Sequence, residues 1–182
     1  TQTELSEEVL EVILNPAIDN KKVSLDGSKD LLLASASNFY GPDVTQQEAT
    51  DFYSAKADKN NPTPISYGLN SKLVRGENGL EERVWKSGGM YGDAIDQVIG
   101  WLEKAVTVAE NEAQGKALKL LIDYYKTGDL TTWDKYNVAW VSATKGDIDY
   151  INSFIEVYND PLGYRGSYET IVQVNDFEAS ER

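Results

Sequence analysis

Glu156 and Tyr158, one residue apart, stand near the end of a segment patterned as a β-strand, INSFIEVYND over Ile151 to Asp160. Alternation predicts Ile151, Ser153, Ile155 and Val157 on one face and Asn152, Phe154, Glu156 and Tyr158 on the other. A carboxylate beside a phenol can hold a cationic group through a charge-assisted hydrogen bond, and the amino end of a peptide suits that pair. From spacing alone, a solvated edge-strand glutamate next to a half-buried tyrosine is the commoner arrangement, so the bland reading stands at this level. Asp160-Pro161-Leu162-Gly163 then spells a type I turn, with Asp first, Pro second and Gly fourth. A second strand is expected from Tyr168 to Val174, with Glu169, Ile171 and Gln173 on one face.

Absences narrow the chemistry further. The 182 residues contain no His and no Cys, so the usual nitrogen and sulfur ligands of a catalytic zinc, a Cys nucleophile and a disulfide scaffold are all missing. Zero Cys does not separate a reducing cytosol from a periplasm, although a cytoplasmic location is favoured. Thirty acidic against 17 basic residues give a net charge of −13, which repels nucleic-acid phosphates and anionic lipid and favours cationic ligands. The same charge often serves only solubility. No apolar run approaches the roughly 18 residues of a membrane span. The start, TQTELSEEV, has neither a basic leader nor an initiator Met, so Thr1 is expected either inside a longer gene product or after a removed tag. Asn61 lies two places before a Thr, but Pro62 between them rules out a glycosylation acceptor.

The elements that must carry Glu156 and Tyr158 are mainly helices. Leu5, Val9, Leu10, Ile13 and Leu14 form one helical stripe that Asn15-Pro16 stops, and a short helix or turn is expected within Ser28 to Ala36. Thr45 with Glu48 three residues on is a capping box, with Val44 stapled onto Ala49; this helix is expected to reach about Ala57 and to bury Phe52 or Tyr53. Ser71 to Arg75 and Glu82 to Lys86 are predicted to pair across Gly76-Glu77-Asn78-Gly79. The GGMYG run matches neither a dinucleotide fingerprint nor a P-loop. Three helices follow, Tyr91 to Ala109, Ala113 to Lys126 with Gly128 as its C-cap, and Thr131 to about Thr144. In the third, Trp133, Tyr136, Asn137, Trp140 and Val141 read as packing residues. The middle pair has the length of one tetratricopeptide unit, but no second copy occurs.

The fold class predicted is α+β, mainly α-helical: helical and bundle-like over 1–145 with a small hairpin near 71–86, then a strand-turn-strand over 150–175, with strands at about 150–158 and 168–174. The 182 residues are read as one domain or one piece of a domain.

The run FIEVYNDPLGYRGSYE resembles the FIE-x-Y-x-DP-x-G-x-RG-x-x-E signature of the dipeptidyl peptidase III family, zinc exopeptidases that release dipeptides from peptide N-termini. GDLTTWDKYNVAWVSATKGDIDYIN and NFYGPDVTQQEATDFY extend the resemblance, the latter toward the bacterial branch. It implies two lobes flanking a cleft, one helical and zinc-bearing, and this chain resembles the N-terminal part of the other, substrate-binding lobe. Carried over by the motif, Glu156 is expected to pair with the substrate ammonium, Tyr158 to bond the peptide near the scissile linkage, and Glu169 to line the cleft. Asp160 and Arg165 are assigned to shaping the turn. The family's HExxGH helix and later glutamate ligand are absent here. The expectation is a chain with no catalytic residue and no metal of its own, inactive alone, whose intact parent uses zinc on oligopeptides with the zinc-bearing lobe as partner. A non-catalytic peptide- or protein-binding module is the alternative, and a purely structural helical domain is the third.

Overall fold

Helix signals and turn chemistry resolve into ten elements in the computed structural model, which describes residues 6–15 and 22–182. Their order is α1 (Glu7–Leu14), α2 (Gln46–Lys56), β1 (Ser71–Gly76), β2 (Gly79–Val84), α3 (Gly92–Thr107), α4 (Glu112–Thr127), α5 (Leu130–Ser142), β3 (Ile148–Glu156), β4 (Ser167–Val174) and α6 (Phe177–Ser180). The class is α+β and mainly helical, with two antiparallel two-stranded sheets. Leu5 and Pro16 of the first stripe lie outside the described residues. Ser6 caps α1, and none of the helix's residues is buried.

Local chemistry explains most boundaries. The Thr45 hydroxyl accepts from the Glu48 amide while Glu48 reaches back to the Thr45 amide, closing the capping box of α2. Val44 and Ala49 are both fully buried in one cluster with Tyr40, Tyr53 and Leu73. Tyr53 is the buried member of the Phe52-Tyr53 pair. Gly128 ends α4 in the left-handed region at φ 71°, where its amide bonds the Tyr124 carbonyl. Asp129 then caps α5 by accepting from the Thr131 and Thr132 amides.

Not every expected feature settles as predicted. The first hairpin pairs Ser71–Gly76 with Gly79–Val84 rather than reaching Lys86, because the connection is only Glu77-Asn78. Residues 31–34 form turns, one of the two forms expected there. Val141, expected inside the α5 stripe, is exposed, since α5 buries only Trp133 and Tyr136 where it packs on α4. The last strand begins at Ser167, and β3 runs from Ile148 to Glu156, so Val157 and Tyr158 fall outside it.

The main core lies between α3, α4 and α5 and takes in Trp85 and Phe154, whose rings sit 4.7 Å apart. The two residues that lead into β1 join the parts: the Leu69 carbonyl accepts from the Gly166 amide, and Asn70 donates to the Gly128 carbonyl. Glu110 receives the Asp147 and Ile148 amides at the start of β3, and these bonds hold its carboxyl below the usual range. Tyr125 donates to Asn152 midway along that strand. Among the described residues no helix is long and apolar enough to cross a membrane.

Candidate functional site

The signature segment takes its shape from one carboxylate. Asp160 places Oδ1 on the Leu162 amide and Oδ2 on the Tyr164 and Arg165 amides, at 2.9–3.0 Å. Its own carbonyl accepts from Gly163, which sits at φ 70°, closing the Asp160–Gly163 turn. A second turn comes just before it, with the Asp160 amide bonded to the Val157 carbonyl at 3.0 Å. Tyr158 is the first corner of that turn, not a strand residue.

Behind the turns lies a buried guanidinium. Arg165 is wholly buried and stacks on Tyr40 and Tyr53 at 4.2 and 4.9 Å from the ring centroids. It donates to both phenol oxygens, reaching Tyr40 at 2.8 Å. The Tyr40 hydroxyl donates to Asp160, and that of Tyr53 donates to Glu82. Burial pushes both phenols above the ordinary tyrosine range despite the neighbouring Arg165. Glu82 is the reverse case: burial favours its neutral form, but bonds from Lys56, Ser71 and Tyr53 outweigh that and hold its carboxyl low.

The β3–β4 register decides where the predicted site residues point. Ser153 pairs with Glu169 and Phe154 with Tyr168, but the next pair is Glu156 with Ser167, so Ile155 is an extra residue in a β-bulge. Residues directly opposite share a face. Glu156 therefore projects with Ser167, Glu169 and Ser153, not with Asn152 and Phe154 as simple alternation predicts. The bulge brings the Glu156 and Glu169 carboxylates onto one face as diagonal neighbours. Both are half-buried, and among the described residues neither side chain is paired with a cation or a hydrogen-bond donor. Tyr158 is 66% exposed and its hydroxyl likewise has no partner among the described residues. It is carried by the turn, two residues past the bulge, rather than standing beside Glu156 on a flat strand.

Sequence reasoning missed Tyr40, Tyr53 and Glu82, which lie far from the signature in sequence. The only available signal was that an Arg inside a tight-turn motif needs acceptors once it is buried. No metal shell emerges: among the described residues no three His, Cys, Asp or Glu side chains converge, and the sequence has no His. These residues do not fit a zinc site of the HExxGH kind.

The family model of peptidase family M49 matches residues 70–182. Among curated proteins, dipeptidyl peptidase 3 of Homo sapiens is 31% identical over 86 residues, covering 47% of this chain and 12% of that protein. The Mus musculus protein of the same name is 28% identical over 132 residues, 71% of this chain and 18% of its own length. The chain thus spans less than a fifth of either relative. Among solved structures, DPP III from Caldithrix abyssi superposes with a TM-score of 0.62 at 19% identity, over 88% of this chain and 30% of that one. Dipeptidyl-peptidase III from Corallococcus sp. strain EGB gives 0.57 at 16%, over 80% and 26%. At such identities the superpositions speak for the fold, while the family match covers well over half the sequence, so the chain belongs to peptidase family M49.

Proposed function

We propose that this chain supplies the part of a zinc-dependent dipeptidyl peptidase that holds the free amino terminus of an oligopeptide. The observation that carries the reading is the pair of carboxylates, Glu156 and Glu169, without partners among the described residues, which the bulge sets on one sheet face just ahead of the turn that carries the exposed Tyr158. Glu156 accepts from the substrate ammonium, and Glu169 adds a second negative charge within reach of the same cation. Tyr158 donates to the peptide farther along, toward the bond to be cut. Fixing the first residue fixes the register, so cleavage falls at a constant distance from the N-terminus. The similarity to proteins named dipeptidyl peptidase 3 supports the reaction class. Zinc and the water it activates belong to residues outside this sequence, and the chain by itself holds no catalytic metal and cleaves no peptide.

The test is kinetic. In the full-length protein assayed on a dipeptidyl arylamide, Glu156→Ala and Tyr158→Phe are expected to lower kcat/KM, and N-acetylation of a peptide substrate is expected to abolish the advantage that Glu156 confers. Unchanged kcat/KM in both variants would remove the assigned roles.

A further inference from the structure

We infer that Tyr40, acting through the buried Arg165, is a positioning residue for Tyr158, so that the site depends on a segment upstream of the region the family model matches. This rests on the reading of Tyr158 as a substrate contact. Tyr158 has little to hold its side chain in place: the residue is two-thirds exposed, its hydroxyl has no partner among the described residues, and it sits beyond the end of β3. Its position is therefore inherited from the turn closed by the Asp160 amide on the Val157 carbonyl, whose other corner, Asn159, donates to the Ser167 hydroxyl at 2.8 Å. Asp160 in turn is fixed by what its carboxylate receives, three turn amides and the Tyr40 hydroxyl.

Tyr40 is the hinge of this arrangement. Its oxygen accepts from Arg165 at 2.8 Å and its hydroxyl donates to Asp160 at 2.9 Å, so one phenol joins the two charges. The direct Arg165 to Asp160 distance is 3.9 Å, too long for a hydrogen bond. Arg165 Nε has no partner among the described residues, so the guanidinium relies on the Tyr40 and Tyr53 oxygens and rings. Phe39 and Gly41, on either side of Tyr40, are bonded to Leu73 of β1, so the phenol is anchored to a sheet rather than to a loop. Glu156 is held differently, by pairing with Ser167 across the β3–β4 ladder. Loosening the Tyr40 contact should therefore disturb Tyr158 and spare the amine contact at Glu156. The family match begins at residue 70, whereas Tyr40 and Tyr53 precede it, so a peptidase built from the matched region alone would lack this support.

The experiment is a double-variant cycle in the full-length protein with a dipeptidyl arylamide substrate, at a temperature where every variant is folded by circular dichroism. Tyr40→Phe is expected to lower kcat by about 10- to 100-fold, the scale of a small misplacement of a reacting contact. KM and the discrimination against N-acetylated peptide are expected to stay put. Tyr40→Phe/Tyr158→Phe is expected to be no slower than the slower single variant, because both changes remove one contact. A folded Tyr40→Phe protein with unaltered kcat, or losses that multiply in the double variant, overturns the inference and leaves Tyr158 as a contact. If Tyr158→Phe alone is silent, the role of Tyr158 and the inference both fall. Should Tyr40→Phe not fold, Tyr53→Phe, which removes the other phenol acceptor of Arg165, carries the same cycle with the same outcomes.

Discussion

Asp160→Asn changes one atom and is expected to be among the most costly conservative substitutions in the chain. The side chain is fully buried, and its two oxygens receive the Leu162, Tyr164 and Arg165 amides and the Tyr40 hydroxyl. An asparagine can keep one oxygen toward Tyr164 and Arg165, but its NH2 then faces the Leu162 N–H, donor against donor. That bond is lost, and the surviving ones lose their charge, a step from about 1.5–3 to about 0.5–1.5 kcal/mol each. Arg165 also loses the nearest anion, and breaking a buried pair costs about 3–5 kcal/mol. These figures overlap rather than add, so about 3–5 kcal/mol is expected, against a total stability of about 5–15 kcal/mol. For a chain of this size that lowers Tm by about 6–20 °C. Urea unfolding followed by circular dichroism is the assay, with m unchanged so that the midpoint reports stability. The double variant Asp160→Asn/Arg165→Met should recover part of the loss, because it no longer buries an uncompensated cation. A loss below about 1 kcal/mol, or a double variant that sums both losses, would refute the reasoning.

Two further outcomes follow from the same structure. Gly166→Ala is expected to destabilise by about 1–3 kcal/mol in urea unfolding, since a Cβ there would lie 2.6–2.8 Å from the Phe154 and Ile155 backbone, and an amide crosspeak for Glu156 that stays in place would show that the bulge does not depend on this contact. Burial pushes Tyr40, Tyr53, Tyr124, Tyr125 and Tyr136 above the ordinary tyrosine range, so their contribution to stability is complete below pH about 10 and is lost as pH rises from there toward the folded values; phenolate absorbance is expected to appear for these five only as the circular dichroism is lost, and early titration with intact helices would contradict it.

The helical part was legible because its signals are local. A capping box at Thr45 and Glu48, a C-cap glycine at 128 and periodic apolar residues over α3 and α4 each act within a few residues, and each settles as chemistry predicts. The turn at Asp160 was legible for the same reason. The Arg165 cluster was not, because Tyr53 and Tyr40 lie 112 and 125 residues away from it, and no local pattern marks a tyrosine as the acceptor for a distant guanidinium. Val141 misled for a related reason: periodicity says which residues share a stripe, but the neighbouring helix decides how far along the stripe is covered.

The strand under the candidate site was legible in its residues but not in its parity. Read as a flat strand, the segment must put Glu156 on the face of Phe154, whose ring packs against buried Trp85; a carboxylate there would enter the apolar core unpaired, at a cost of several kcal/mol. One extra residue removes the conflict. With Ile155 in the bulge, Phe154 and Ile155 both pack against the core, while the strand's parity reverses and Glu156 emerges beside Ser167 and Glu169. The close approach at Gly166 sits at this same point on the Phe154 and Ile155 backbone, so the glycine of the signature and the glutamate of the signature belong to one device. A motif preserves residue types and spacing, yet what it encodes here is an irregularity: two consecutive apolar residues kept against the core so that the acid after them turns off the Trp85 side.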